Sequence, residues 1–331
     1  MDIVSELTPY MGDLIDLGLV LVGFALLIGG GDALVRGALA LAARHHVSPL
    51  LVGMTVVAMG TSAPELVVSV LSAISGHADI ALGNVIGSNI ANVLLVIGVP
   101  VLIYPMATAQ PGLARQTNIM MLTSIAFVGL LFLGTISTLQ GLILLAGLGL
   151  FLFGAARGDV ELSALDEVKA QLGEVATHHL SYWRILLWLG LGMVLLPLGA
   201  EFVVDSGTSL AESWGIGEAV IGLTIVALGT SLPELATTVA AAFRRNVDVA
   251  LGNVIGSNIF NMLAIVGITA LIADLDVAPA FLSYDVWVML AVALFLTAAV
   301  WRRQVIGPRL GILLLIGYGL YIYHLVTGSL S

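Results

Sequence analysis

Long apolar stretches follow one another from end to end of this chain, separated by short breaks that hold glycine, proline and most of the charge. A helix needs about 20 apolar residues to cross a hydrocarbon layer roughly 30 Å thick. Reading the runs between breaks predicts ten spans, at 14–44, 49–75, 78–103, 116–134, 138–156, 182–213, 216–243, 247–272, 282–301 and 309–327. The first and sixth exceed what a perpendicular crossing requires and are expected to tilt. Spanning strands would alternate apolar and polar residues over about ten positions, a pattern this sequence lacks. The predicted fold is an all-α polytopic membrane protein.

Composition agrees: 59% of residues are hydrophobic and 10% charged, against about 25% charged in a soluble domain. The absence of cysteine excludes disulfides, thiolate metal sites and cysteine nucleophiles. The first ten residues hold Asp2 and Glu6 but no Lys or Arg, so the first span lacks the basic flank of a cleaved leader and is expected to stay. The net charge of −10 argues against nucleic acid as a partner, but its sidedness is more informative. With alternating spans, the loops near 44–48, 104–116, 157–181, 244–246 and 302–309 share one face, and all 11 basic residues lie in or beside them. The positive-inside rule then puts both termini outside an inner or plasma membrane.

One segment is written twice. Gly60-Thr61-Ser62-Ala63-Pro64-Glu65 and Gly83-Asn84-Val85-Ile86-Gly87-Ser88-Asn89-Ile90-Ala91-Asn92 return 169 residues later as Gly229-Thr230-Ser231-Leu232-Pro233-Glu234 and Gly252-Asn253-Val254-Ile255-Gly256-Ser257-Asn258-Ile259-Phe260-Asn261. Between Gly53 and Gly98, 26 of 46 positions are identical to their partners. The repeat divides the chain into a first five-helix unit at 1–156, a cytoplasmic linker at 157–181 and a second five-helix unit at 182–331. Equivalent helices stand five spans apart, an odd number, so the halves are expected to lie inverted in the membrane around a central site.

The repeated residues supply the chemistry. An ionisable side chain within an apolar span is costly and marks an ion or substrate path, and each copy carries one glutamate, Glu65 or Glu234. Pro64 and Pro233 lack the amide hydrogen of a helix interior and bias the preceding residue away from helical angles. A break beside Thr61 and Ser62, and beside Thr230 and Ser231, is expected to leave carbonyls from Ala58 and Ala227 onward short of partners. On the next span Asn84, Ser88 and Asn92 are four apart and share a stripe, as do Asn253, Ser257 and Asn261. Carboxylate, hydroxyl, amide and carbonyl oxygens suit a hard cation such as calcium or sodium, and without histidine or cysteine in the set softer metals are disfavoured. Gly83, Gly87, Gly252 and Gly256 read as close-packing scaffold. Asp32 and Arg36, four apart, read as a local pair.

The paired motifs resemble the alpha repeats of the cation/calcium exchanger superfamily, and the ten-span plan is similar to its prokaryotic sodium/calcium exchanger branch. The resemblance implies an antiporter, not an enzyme, that exchanges calcium for sodium by alternating access, with no cofactor beyond the transported ions. It carries ion ligands onto Thr61, Ser62, Glu65, Ser88, Asn92 and the Ala58 carbonyl, and onto Thr230, Ser231, Glu234, Ser257, Asn261 and the Ala227 carbonyl. It also implies that the long first and sixth spans slide across the site. Some members of the family have an aspartate where this chain has Asn261, which leaves two carboxylates and opens the stoichiometry. Calcium/proton antiport is the alternative, a passive cation channel a further one, and an intramembrane hydrolase using Ser62 or Ser231 is disfavoured because all six histidines fall at span ends.

Overall fold

Helices dominate the computed structural model, which describes residues 3–156, 181–215 and 227–329. In chain order they are α1 (Ile3–His45), α2 (Pro49–Thr61), α3 (Ala63–Ile74), α4 (Ala78–Leu94), α5 (Leu113–Leu131), α6 (Thr138–Ala156), α7 (Tyr182–Ser213), α8 (Leu232–Phe243), α9 (Val247–Ile272), α10 (Phe281–Trp301) and α11 (Pro308–Ser329). Among the described residues six are long and apolar enough to cross a membrane, and α2 with α3, bent by 44° at their junction, makes a seventh if the pair is one span. That is fewer than the ten spans expected, for a physical reason. Polar residues that mark the candidate site, Asn84, Ser88, Asn89 and Asn92, dilute the 17-residue α4. Arg115, Gln116 and Asn118 do the same to α5. The expected span at 216–243 is described only from Ala227 onward, and the expected linker lies almost wholly outside the described residues.

The two longest helices, α1 with 43 residues and α7 with 32, lie against each other at close range. A Cβ on Gly23 would sit 2.7 Å from Val203, one on Gly37 2.8 Å from Leu189, and one on Gly192 2.6 Å from Leu34. Gly23, Gly30 and Gly37 recur every seven residues on α1, so these small side chains form one stripe along which the backbones approach. At about 1.5 Å per residue α1 is about 65 Å long, twice the hydrocarbon thickness.

The centre of the molecule is α9, with Val247–Ile272 83% buried in its most apolar stretch. It presses on α2, where Cβ atoms on Gly252 and Gly256 would lie 2.7 Å from the Leu50 carbonyl oxygen and 2.4 Å from that of Met54. The scaffold reading of these two glycines therefore stands. Their repeat mates differ: Gly87 has nothing within 4 Å and Gly83 meets only Phe281, at 3.4 Å, among the described residues. Among the described residues three π-helical turns, Gly53–Val57, Asn261–Ile265 and Phe281–Asp285, widen the helices beside the polar interior.

Four two-residue strands tie the helix ends. β1 (Met106–Ala107) pairs antiparallel with β4 (Val305–Ile306), and β2 (Thr135–Ile136) with β3 (Leu275–Asp276). The loops at 104–116 and 302–309, expected on one face, are thus joined directly.

Candidate ion-binding site

The helix openings at Pro64 and Pro233 meet at the centre, where Ser62 of the first reaches Glu234 of the second. Pro64 and Pro233 sit in the opening turns of α3 and α8, where a missing amide hydrogen costs nothing. The glutamate that follows each proline falls in the first turn, where the helix dipole favours a negative charge. Ser62 and Ser231 occupy the capping positions, yet neither caps its helix. Ser62 instead reaches across to the other half, its hydroxyl donating to Glu234 Oε1 at 2.9 Å. Ser257 donates to the same oxygen at 3.5 Å. Glu65 and Glu234 are both 0% exposed.

Around them the hydrogen bonds come in pairs offset by the repeat. Asn84 Nδ2 donates to the Glu65 carbonyl at 3.1 Å and to Ser69 at 3.0 Å; Asn253 Nδ2 donates to the Glu234 carbonyl at 3.4 Å and to Thr238 at 3.2 Å. The Thr61 hydroxyl donates to Asn253 Oδ1 at 3.2 Å, and that of Thr230 to Asn84 Oδ1 at 3.4 Å. Asn92 Nδ2 donates to Asn258 Oδ1 at 3.0 Å, and Asn261 Nδ2 to Asn89 Oδ1 at 3.1 Å. With their amide nitrogens fixed in this way, Asn92 and Asn261 present their oxygens to the interior.

The result is a buried set of oxygens without donors. Both carboxylate oxygens of Glu65, Oε2 of Glu234, Oδ1 of Asn92, Oδ1 of Asn261 and the Ser231 hydroxyl lack a hydrogen-bond partner among the described residues. Buried polar atoms are nearly always paired, and leaving one unpaired costs about 1–3 kcal/mol. Buried acceptors left without donors are what a cation would satisfy.

Three placements differ from expectation. The Ala58 carbonyl is not short of partners: it accepts from the Ser62 amide at 3.0 Å and the Thr61 hydroxyl at 3.3 Å. The reason is one of register, since Pro64 removes the partner of Gly60, not that of Ala58. In the second half the Ser231 amide donates to the Leu228 carbonyl at 3.1 Å. Ser88 stands apart from its repeat mate Ser257: it is 4% exposed, makes no hydrogen bond among the described residues, and lines a cavity of about 470 Å³. Asn89 and Asn258, which the helical-stripe argument passed over, orient both candidate asparagines. Their recurrence at the same 169-residue offset was the available signal. No group of three or more His, Cys, Asp or Glu residues clusters among the described residues. The local-pair reading of Asp32 and Arg36 stands at 2.8 Å, but Asp32 also receives Arg244 Nε at 2.7 Å, tying α1 to the end of α8.

The sequence profile of the family described as sodium/calcium exchanger protein matches residues 15–156 and 184–327. The inner membrane protein YrbG of Escherichia coli is 36% identical over 91% of this chain and 93% of its own length. The sodium/calcium exchanger MaX1 of Methanosarcina acetivorans is 33% identical over 84% and 89%. Among solved structures, the sodium-calcium exchanger NCX_Mj soaked with 10 mM Na+ and no Ca2+ superposes with a TM-score of 0.80 at 31% identity, over 94% of this chain and 99% of that one.

Proposed function

The chain belongs to the sodium/calcium exchanger protein family, and from that premise we propose that it exchanges calcium for sodium across a plasma or inner membrane by alternating access. The observation that carries this reading is the set of donor-free oxygens shared by the two halves. Glu65 and Glu234 supply the charge, and Asn92, Asn261, Ser62, Ser231, Ser88, Ser257, Thr61 and Thr230 complete the shell as the ion shifts between positions. The Ala58 carbonyl joins once the Thr61 hydroxyl turns away, and the Ala227 carbonyl is its counterpart in the second half. Calcium takes six to eight oxygens, and two carboxylates balance one calcium or two sodium ions.

The same reading takes residues 1–156 and 182–331 as two inverted five-helix units of ten spans in all, with 157–181 as the connection. Support comes from the reciprocal asparagine bonds and from strand pairs that join loops of like predicted side. Both termini then lie outside, and the tight α1–α7 pair is the body that slides.

Glu65→Gln in inverted vesicles tests the proposal. A carboxylate 4 Å from a divalent ion attracts it by about 8 kcal/mol at an effective dielectric of about 20. If half survives the cost of desolvation, losing it weakens calcium binding about a thousandfold. Sodium-driven calcium uptake is therefore expected to vanish. Uptake at the parental rate would sink the assignment, and uptake that follows an imposed proton gradient but not a sodium gradient would move it to calcium/proton antiport.

A further inference from the structure

Besides Glu65 and Glu234, one more carboxylate is buried among the described residues: Asp285, 8% exposed, at the end of the π-helical turn that opens α10. It belongs to neither repeated motif. The position 169 residues earlier is Gln116, so the repeat does not require an acid here. Nor is Asp285 neutralised by an ion pair with any described residue. One oxygen, Oδ1, accepts from the Tyr321 hydroxyl of α11 at 3.0 Å. The Tyr321 ring stacks on Tyr284 at 6.3 Å with an interplanar angle of 11°, and Tyr284 in turn meets the exposed His324 at 4.0 Å between ring centroids. These contacts hold the carboxylate in place.

Asp285 faces the cavity that Ser88 lines, and Asn84 and Thr230 line it as well. The exposed Asp79, near the start of α4, is also on its wall. The cavity therefore joins an acid at its margin to a buried acid and then to residues of the candidate ion cluster. Most of the remaining wall is apolar, with Val68, Ile80, Ile86 and Phe281 among it, which strengthens any charge interaction inside. Ser88, which the exchanger reading counts in the central shell, stands on that wall too, 4% exposed as a residue and with no hydrogen-bond partner among the described residues.

We propose that Asp285, held by Tyr321, forms an outer binding site for a hard divalent cation on the approach to the central cluster, with Ser88 on the inner side of the same cavity. The site is weaker than the central one because it offers a single buried carboxylate. It supplies a third negative charge to the ion's route in a chain whose central asparagines, Asn92 and Asn261, leave only two. In its role as an approach, the proposal rests on the exchanger reading.

Equilibrium binding of calcium-45 to the full chain in detergent, at fixed pH, tests it. In Glu65→Gln/Glu234→Gln protein one weakly bound calcium is expected to remain, and adding Asp285→Asn is expected to raise its dissociation constant about tenfold or more. In otherwise native protein, Asp285→Asn is expected to raise the calcium concentration for half-maximal uptake about tenfold at an unchanged maximal rate. Asparagine keeps the shape and the acceptor for Tyr321; if that variant fails to fold, Asp285→Ser carries the same test. Calcium binding in the double-glutamine background that is absent, or equal with and without the Asp285 substitution, overturns the proposal. The exchanger reading fails separately, through Glu65→Gln protein that still transports, whatever Asp285 binds.

Discussion

Asn258 is predicted to set calcium affinity without touching the ion. Its Oδ1 accepts Asn92 Nδ2 at 3.0 Å, while its own amide nitrogen makes only long contacts, 3.5 Å to the Asn89 carbonyl and 3.7 Å to the Met120 sulfur. Truncation by Asn258→Ala therefore removes chiefly an acceptor. Asn92 is 1% exposed, so its amide nitrogen would be stranded at about 1–3 kcal/mol. Rotating the side chain relieves that cost by turning the nitrogen toward the cluster and the oxygen away from it. A cation would then meet hydrogens where it met an oxygen. Loss of a group that orients a metal ligand typically weakens binding about 10- to 100-fold, and the half-saturating calcium concentration in vesicle uptake should rise by that factor. Asn92→Ala, Asn258→Ala and the double variant close a cycle, with an expected coupling of about 1–2 kcal/mol. Strictly additive effects, or Asn258→Ala vesicles with parental calcium dependence, would refute the orienting role. Asn89→Ala should act in the same way through Asn261.

The glycines make a paired prediction. Gly256→Ala would place a Cβ 2.4 Å from the Met54 oxygen and 2.6 Å from its Cα, both backbone atoms, so overpacking of about 1–3 kcal/mol should lower thermal stability in detergent. Gly87→Ala, with nothing within 4 Å, should leave the melting temperature nearly unchanged; equal losses at both positions would contradict the packing argument. Asp32→Asn removes the partner of both Arg36 and Arg244, whose contacts with it are partly solvated, with side chains 46% and 28% exposed. The expected destabilisation is at most about 1 kcal/mol. It should shrink as salt is raised from low to physiological strength, and a loss insensitive to salt would rule out an electrostatic origin.

How much of this was legible in the sequence depends on which contacts each signal reports. The carboxylates were readable because a glutamate between a helix-breaking proline and an apolar run has no inexpensive structural use, and because it occurs twice. Asn84, Ser88 and Asn92 were readable as one helical stripe. Asn89 and Asn258 lie off that stripe, and only the crossing of α4 and α9 gives them a partner, a contact between residues 166 or 172 positions apart. Asp285 was hidden differently. It stands near a predicted span end, where an acid is ordinary, and its burial comes from α11 and the cavity wall. The break at Pro64 was foreseen, but the carbonyl it frees is counted four residues back, which moves the effect off Ala58.

The most informative departure is that equal sequences do not take equal geometries. Ser62 donates to Glu234, while among the described residues its repeat mate Ser231 leaves its hydroxyl unpaired and both oxygens of Glu65 without a donor. Gly256 is pressed against α2, while Gly87 lies open. Local propensity cannot produce this difference, because the residues concerned are identical in the two copies. It must reside in how the surrounding helices are placed and in the neighbours that differ between the copies, such as Ala63 against Leu232 and Ala91 against Phe260. On the exchanger reading the near-equivalence of the two copies is the physical basis of alternating access: two arrangements of similar energy, each closing one side of the shared cluster, between which bound ions shift the balance by their differential affinity.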